Sequence, residues 1–137
     1  MITDRSTKML GQVPEGTYPH QEITREIIAA AYEVHKVLGG GFLERVYENA
    51  LVLELTKRGL RGQAQMPIGV QYKGEPVGEY FADLLVNEVV ICEIKAGEGL
   101  TNAHQAQLLN YLKATGIKVG LLLNFGNNRV QVKRMVF

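Results

Sequence analysis

Three charged residues stand where a buried strand should carry none. Residues 80–86 and 89–94 are two apolar runs, rich in β-branched and large side chains and free of Gly and Pro, on either side of the polar pair Asn87 and Glu88. Asp83 and Glu93 lie inside these runs, and Lys95 closes the second. A charge in a strand core is costly unless it is paired or holds a metal. Two carboxylates brought together by a strand pair can hold a hard divalent cation such as Mg²⁺, which prefers oxygen ligands and keeps several waters. Such an ion polarises a phosphoryl oxygen and activates a water, and a lysine beside it can orient that water or help remove its proton. Glu44, from a helix, can complete or tune the same site. The plainer alternative is a buried ion pair between Lys95 and either acid.

Strand geometry sets a condition on this cluster. Glu93 and Lys95 are two apart and share one face, with Cys92 and Ile94 on the other. A three-residue loop of Asn87, Glu88 and Val89 pairs Val86 with Val90 and sets Asp83 across from Glu93. A two-residue loop pairs Asp83 with Cys92 and turns Glu93 away. Only odd loops build the site, and both kinds occur.

The elements around the cluster follow from periodicity. Residues 1–21, rich in Gly, Pro, Thr and charge, have no period and are expected to form a flexible N-terminal arm before a single domain over 22–137. From an N-cap at Thr24, the apolar positions Ile27, Ala30, Ala31, Val34 and Leu38 predict an amphipathic helix that stops at Gly39, Gly40 and Gly41. These glycines are no phosphate loop, because no strand precedes them and no Gly-Lys-Ser/Thr follows. His35 beside the stripe is given a structural role. A second helix is predicted over 42–60, with Leu43, Val46, Ala50 and Leu53 as its stripe, widened by Tyr47, Leu51 and Val52. Glu44 falls in its first turn, where a carboxylate is favoured, and Glu54 can pair with Arg58. Strands are predicted over 65–73, from Val77 onward and through Lys95, joined by short turns as an antiparallel meander. A third helix over 102–115 puts Gln107 and Tyr111 on one mostly polar face. The apolar residues 118–125 then predict a strand covered on both faces and reached by a β-α-β crossover. Residues 130–137 close the sheet as an edge strand.

Composition narrows the function classes. A chain of 137 residues with 46% apolar and 21% charged residues is an ordinary globular domain. A net charge of +1 excludes a broadly basic surface, so any nucleic-acid contact must use local patches: Lys57, Arg58 and Arg61, Lys113 and Lys118, or Lys133 and Arg134. One cysteine excludes an internal disulfide and a Cys-rich zinc site. No apolar run is long enough to span a membrane, and the N-terminus has no apolar secretory core, so a cytoplasmic location is expected.

Taken in order, these motifs resemble the PD-(D/E)XK nuclease superfamily, and within it the small bacterial and archaeal GxxExxY proteins. Gly41, Glu44 and Tyr47 stand as G-x-x-E-x-x-Y. Asp83 followed by Glu93-Ile94-Lys95 stands as the acid and E-x-K, and Gln107 and Tyr111 resemble the Gln-x-x-x-Tyr element of RecB-like nucleases. The resemblance covers residues 22–137. It implies an α/β (α+β) restriction-endonuclease-like core, a mixed central sheet of αβββαβ order flanked by helices. It further implies metal-dependent hydrolysis of phosphodiester bonds. Asp83, Glu93 and Glu44 would surround Mg²⁺ or Mn²⁺, Lys95 would serve the water, and Gln107 and Tyr111 would contact substrate or hold the geometry. Ala82 stands where the superfamily has proline. Nucleic acid is the implied partner, DNA ahead of RNA, and a homodimer would suit a duplex. The alternative in a different class is a catalytically silent module that binds nucleic acid or a partner.

Overall fold

The computed structural model describes residues 19–137. The arm expected over 1–21 lies outside the described residues except for its last three, and Gln21 already opens a helix. The elements run α1 (Gln21–Leu38), α2 (Glu44–Lys57), β1 (Gly62–Tyr72), β2 (Glu75–Val86), β3 (Val90–Lys95), α3 (Asn102–Thr115), β4 (Val119–Phe125) and β5 (Val130–Val136). They build one five-stranded sheet in the order β1-β2-β3-β4-β5. All neighbours are antiparallel except β3 and β4, which α3 joins as a crossover. The predicted meander and parallel return are both present.

Helices cover both faces. On one, Ile27, Ala30 and Val34 of α1 and Tyr47, Leu51 and Leu55 of α2 pack on Leu84, Cys92, Ile94 and Leu121. On the other, Leu108, Tyr111 and Leu112 of α3 pack on Ile68, Ala82, Leu85, Ile91 and Leu122. Every residue of β4 is buried, as its unbroken apolar run requires. Among the described residues no helix is long and apolar enough to cross a membrane.

Three local expectations need correction. Helix α1 starts at Gln21 after a left-handed His20, and Thr24 is a buried helical residue whose hydroxyl donates to the Gln21 carbonyl. Helix α2 is shorter than 42–60 because Leu43 is extended. Its buried face is Tyr47, Glu48, Leu51 and Leu55. Of the predicted stripe, Tyr47 and Leu51 are core and Ala50 and Val52 pack against it, whereas Leu43 at 79% and Leu53 at 66% exposure, with Val46, face outward. Both stripes have helical spacing, and the docking angle of α2 on α1 and the sheet chose between them.

Tyr47 explains the glycine-rich approach to α2. Its hydroxyl donates to the Gly39 carbonyl at 2.6 Å and accepts from the Phe42 amide at 3.2 Å. Its ring stacks on Phe125 with centroids 4.6 Å apart. His35 Nε2 donates to the Gly126 carbonyl at 2.7 Å, which bears out its structural role. The 39–42 loop is thereby pinned against the β4–β5 turn. A Cβ on Gly40 would lie 2.6 Å from Asn127 Cα and 2.9 Å from the Gly126 carbonyl oxygen. Both are main-chain atoms and cannot turn aside. Gly40→Ala should therefore lower stability by about 1–3 kcal/mol, as overpacking does. A urea midpoint equal to that of the parent would show that the two loops are not in contact.

Candidate active site

The two strand acids meet where the β2–β3 ladder stops. Pairing runs from Val86↔Val90 to Leu84↔Cys92. The connection is the three-residue loop of Asn87, Glu88 and Val89, with Asn87 and Glu88 left-handed at φ 50° and 63°. Asn87 is tied to Arg61, just before β1: the Arg61 amide donates to Asn87 Oδ1 at 2.8 Å and the Asn87 amide donates to the Arg61 carbonyl at 2.9 Å. Asn tolerates this conformation better than most residues. The next step of the register sets Asp83 opposite Glu93. There the side chains replace the ladder: the Asp83 amide donates to Glu93 Oε2 at 2.8 Å, and the Ile94 amide donates to Asp83 Oδ2 at 2.8 Å. Each carboxylate thus satisfies a main-chain donor and keeps a second oxygen.

Side-chain alternation also breaks at this point. Ala82 and Leu85 both pack under α3, while Leu84 and Val86 pack under α1 and α2. Ala82 and Leu85 are three apart, against the period of two. Gln65, opposite on β1, is left-handed at φ 54°. Such an irregularity re-aims a side chain, here Asp83. Cys92 and Ile94 face the α1/α2 core, so Glu93 and Lys95 lie on the opposite face, as expected.

The electrostatics follow from crowding. Glu93 is 3% exposed. Burial, then the Asp83 charge, pushes its carboxyl up to about 8, against the Asp83 amide and the Lys95 charge. Among the described residues Lys95 forms no salt bridge with either acid, which argues against a merely structural ion pair. The neighbouring Cys92 thiol is fully buried and its pKa rises for that reason first, so it is no nucleophile.

The remaining predicted residues separate. Tyr111 is 6% exposed, in the core under α3 rather than on a polar face. Burial raises its pKa, and the Glu93 and Asp83 charges add to the rise, so its hydroxyl lies within their field. Gln107 is exposed. Glu44 is exposed in the first turn of α2. One turn on, Glu48 is 5% exposed and accepts from Gln65 Nε2 at 3.2 and 3.3 Å. Burial raises its pKa first; the Asp83 and Glu44 charges also raise it, while Gln65 and Arg45 oppose. Its charge reaches Glu93 as well. Glu48 was missed in the sequence. The available signal was the alternative stripe of residues 47, 48, 51 and 55, which carries an acid into the core.

Of the basic patches, Arg58 is held by Glu54 and Glu26, and Arg61 by Glu88, so the predicted Glu54–Arg58 pair forms and that cluster is largely neutralised. Beside Lys95, a cleft of about 500 Å³ opens between Phe42, Ala96, Gly97, Phe125 and Arg129. Its wall is the loop that Tyr47 pins.

The donor set suits a hard cation. Asp83 and Glu93 each offer one remaining carboxylate oxygen, and their mutual repulsion is what a positive ion would relieve. Among the described residues no three His, Cys, Asp or Glu side chains are grouped for a full protein cage. Mg²⁺ is commonly held by one or two carboxylates with waters completing its shell, and a pair of this kind fits that chemistry.

A sequence profile of the PD-(D/E)XK nuclease superfamily matches residues 21–135. No curated protein matches significantly. The fold is similar to the crystal structure of SSO0001, with a TM-score of 0.53, 18% identity, and coverage of 85% of this chain and 58% of that one. The chain therefore spans well under two thirds of that protein. An alkaline exonuclease from Laribacter hongkongensis, LHK-Exo, aligns at a TM-score of 0.42 and 10% identity over 96% of this chain and 75% of that one. The mixed sheet flanked by helices is the restriction-endonuclease-like core expected from the sequence.

Proposed function

Because the chain belongs to the PD-(D/E)XK nuclease superfamily, we propose that it is a metal-dependent nuclease of the GxxExxY type that hydrolyses phosphodiester bonds in DNA or RNA. The observation that carries this reading is the crossed pair of bonds at the open end of the ladder, in which the Glu93 carboxylate accepts from the Asp83 amide and the Asp83 carboxylate from the Ile94 amide, with Lys95 two residues after Glu93. Asp83 and Glu93 would hold Mg²⁺ or Mn²⁺ through the oxygens left over. When bound, the ion supplies positive charge at the phosphoryl oxygen and a more acidic water. Lys95 orients that water and withdraws negative charge from Glu93. Glu48, hydrogen-bonded by Gln65, adds the helical carboxylate beside the pair, and Glu44 lies one turn outside it. Tyr111 holds its hydroxyl near the reacting phosphate, and Gln107, exposed on the same helix, contacts the substrate backbone.

A cleavage assay tests this. Single- and double-stranded DNA and RNA are presented with Mg²⁺ or Mn²⁺, beside a metal-free lane. Cutting only with metal is expected. Glu48→Gln should lower the rate about 10- to 100-fold, the usual cost of losing a supporting group around a metal, and Glu44→Gln should lower it less. Equal losses in the two variants would remove the assignment of Glu48 as the inner acid. Absence of cutting on every polymer, together with salt-sensitive binding, would leave the silent nucleic-acid-binding module as the better description.

A further inference from the structure

Strand β2 runs well past its neighbour. β3 pairs with it only from Leu84 to Val86, whereas β1 follows it down to Tyr72↔Glu75. The hairpin between Met66 and Ala82 is therefore two-stranded, carried past β3 beside the carboxylates, and Ile68 seats it against α3. Every residue of β2 from 75 to 81 is exposed. Beyond the Ile68 contact this ribbon shows large apolar side chains to solvent: Tyr72, Val77, Tyr80 and Phe81, all at least half exposed.

Tyr80 differs from the others in what it touches. It stands three residues before Asp83, and its ring lies 5.8 Å from that of Tyr111, tilted by 45°. Tyr111 is buried and within the field of Asp83 and Glu93. One side of Tyr80 is thus steadied by a core residue of the site, and the rest is open to solvent at 51% exposure. The ribbon offers no electrostatic hold, because its one lysine, Lys73, is outnumbered by Glu75 and Glu79. Stacking needs no charge, and every base has a face to offer. In a duplex those faces are already occupied by neighbouring bases.

We infer that Tyr80 is the stacking platform for a base beside the scissile phosphate, and that the substrate presents an unpaired strand there. This inference rests on the nuclease reading and names its substrate class. Tyr80 is a substrate-positioning residue, not a catalytic one. A single strand has no two-fold axis, so cutting it does not call for the homodimer expected on a duplex.

The chain has no tryptophan, so a Tyr80→Trp variant carries a unique reporter. It is titrated without metal with a short oligothymidylate and with a blunt duplex of equal length. Quenching by the single strand alone is expected. In parallel, Tyr80→Ala should raise KM for single-stranded DNA about 5- to 100-fold, the range of one lost base stack, with kcat nearly unchanged, and Tyr80→Phe should restore it. A ring that merely props Tyr111 would lower kcat instead, and that result overturns the inference. So does cutting by the parent without quenching, or equal quenching by the duplex. Quenching by the single strand in a protein that cuts nothing would support the platform and remove the nuclease.

Discussion

Lys95→Ala is expected to lower metal-dependent cleavage at least about 100-fold, the scale of a group that manages a proton or developing charge in the transition state, while the protein still folds. Lys95 is part-exposed at the end of β3 and makes no salt bridge among the described residues. Its loss therefore leaves no buried partner unpaired and opens no core cavity. What it does lose is a nearby positive charge that opposes the rise in the Glu93 pKa. The variant should need a higher pH than the parent to respond to metal, as well as cutting slowly when metal is bound. Circular dichroism and a melting curve would establish that the fold is intact. A variant that is folded and cuts at the parental rate would take Lys95 out of the chemistry, and with it the nuclease assignment of the cluster.

The metal-free protein should lose stability as pH rises, and Glu93 should be the main cause. Its carboxyl is pushed from the ordinary 4.5 to about 8 by burial first and by Asp83 second. Below pH 4.5 the folded and unfolded chains both hold the proton, and the group contributes nothing. Between 4.5 and about 8 the unfolded chain has released it and the folded chain has not, so unfolding gains with every step in pH. Above about 8 the penalty is complete. At 1.36 kcal/mol per pKa unit, the loss is about 5 kcal/mol across that window. Glu48, also raised by burial first, acts in the same direction. Glu93→Gln keeps an acceptor for the Asp83 amide and cannot ionise, so the difference between it and the parent isolates the effect. Denaturant unfolding across the range should show the parent falling steeply and the variant falling less, with the slope that Glu48 leaves. Mg²⁺ or Mn²⁺ should raise the parental melting temperature more above about pH 8 than near pH 6, since an ion that binds only the folded state stabilises it and here must displace a proton. A parental profile parallel to that of Glu93→Gln would show that Glu93 is not the strained acid described.

Much of the architecture was legible because it depends on short-range rules. A strand alternates and a helix repeats near 3.6, so α1, α3, the three-strand meander and the fully buried β4 could be placed from residue type alone. E-x-K on one face of β3 followed in the same way, since residues 93 and 95 must point together and away from Cys92 and Ile94. The order of the motifs then indicated the superfamily without any coordinates.

What stayed open were choices between two solutions with the same local pattern. Two- and three-residue turns were both compatible with Asn87 and Glu88. The structure takes the longer one, held by the clamp between Asn87 and Arg61 just before the adjacent strand, and this register brings Asp83 to Glu93. Helix α2 carries two stripes of helical spacing, and packing against α1 and the sheet buried the one holding Tyr47 and Glu48 rather than the one holding Leu43 and Leu53. Gln107 and Tyr111 share a helix but not an environment, because α3 is rotated to put Tyr111 into the core. The amino-acid sequence by itself determined which elements form and which chemical groups they carry. The tertiary structure decided which of those groups share a site, because burial is settled by what lies across from a residue, and that neighbour comes from a distant part of the chain.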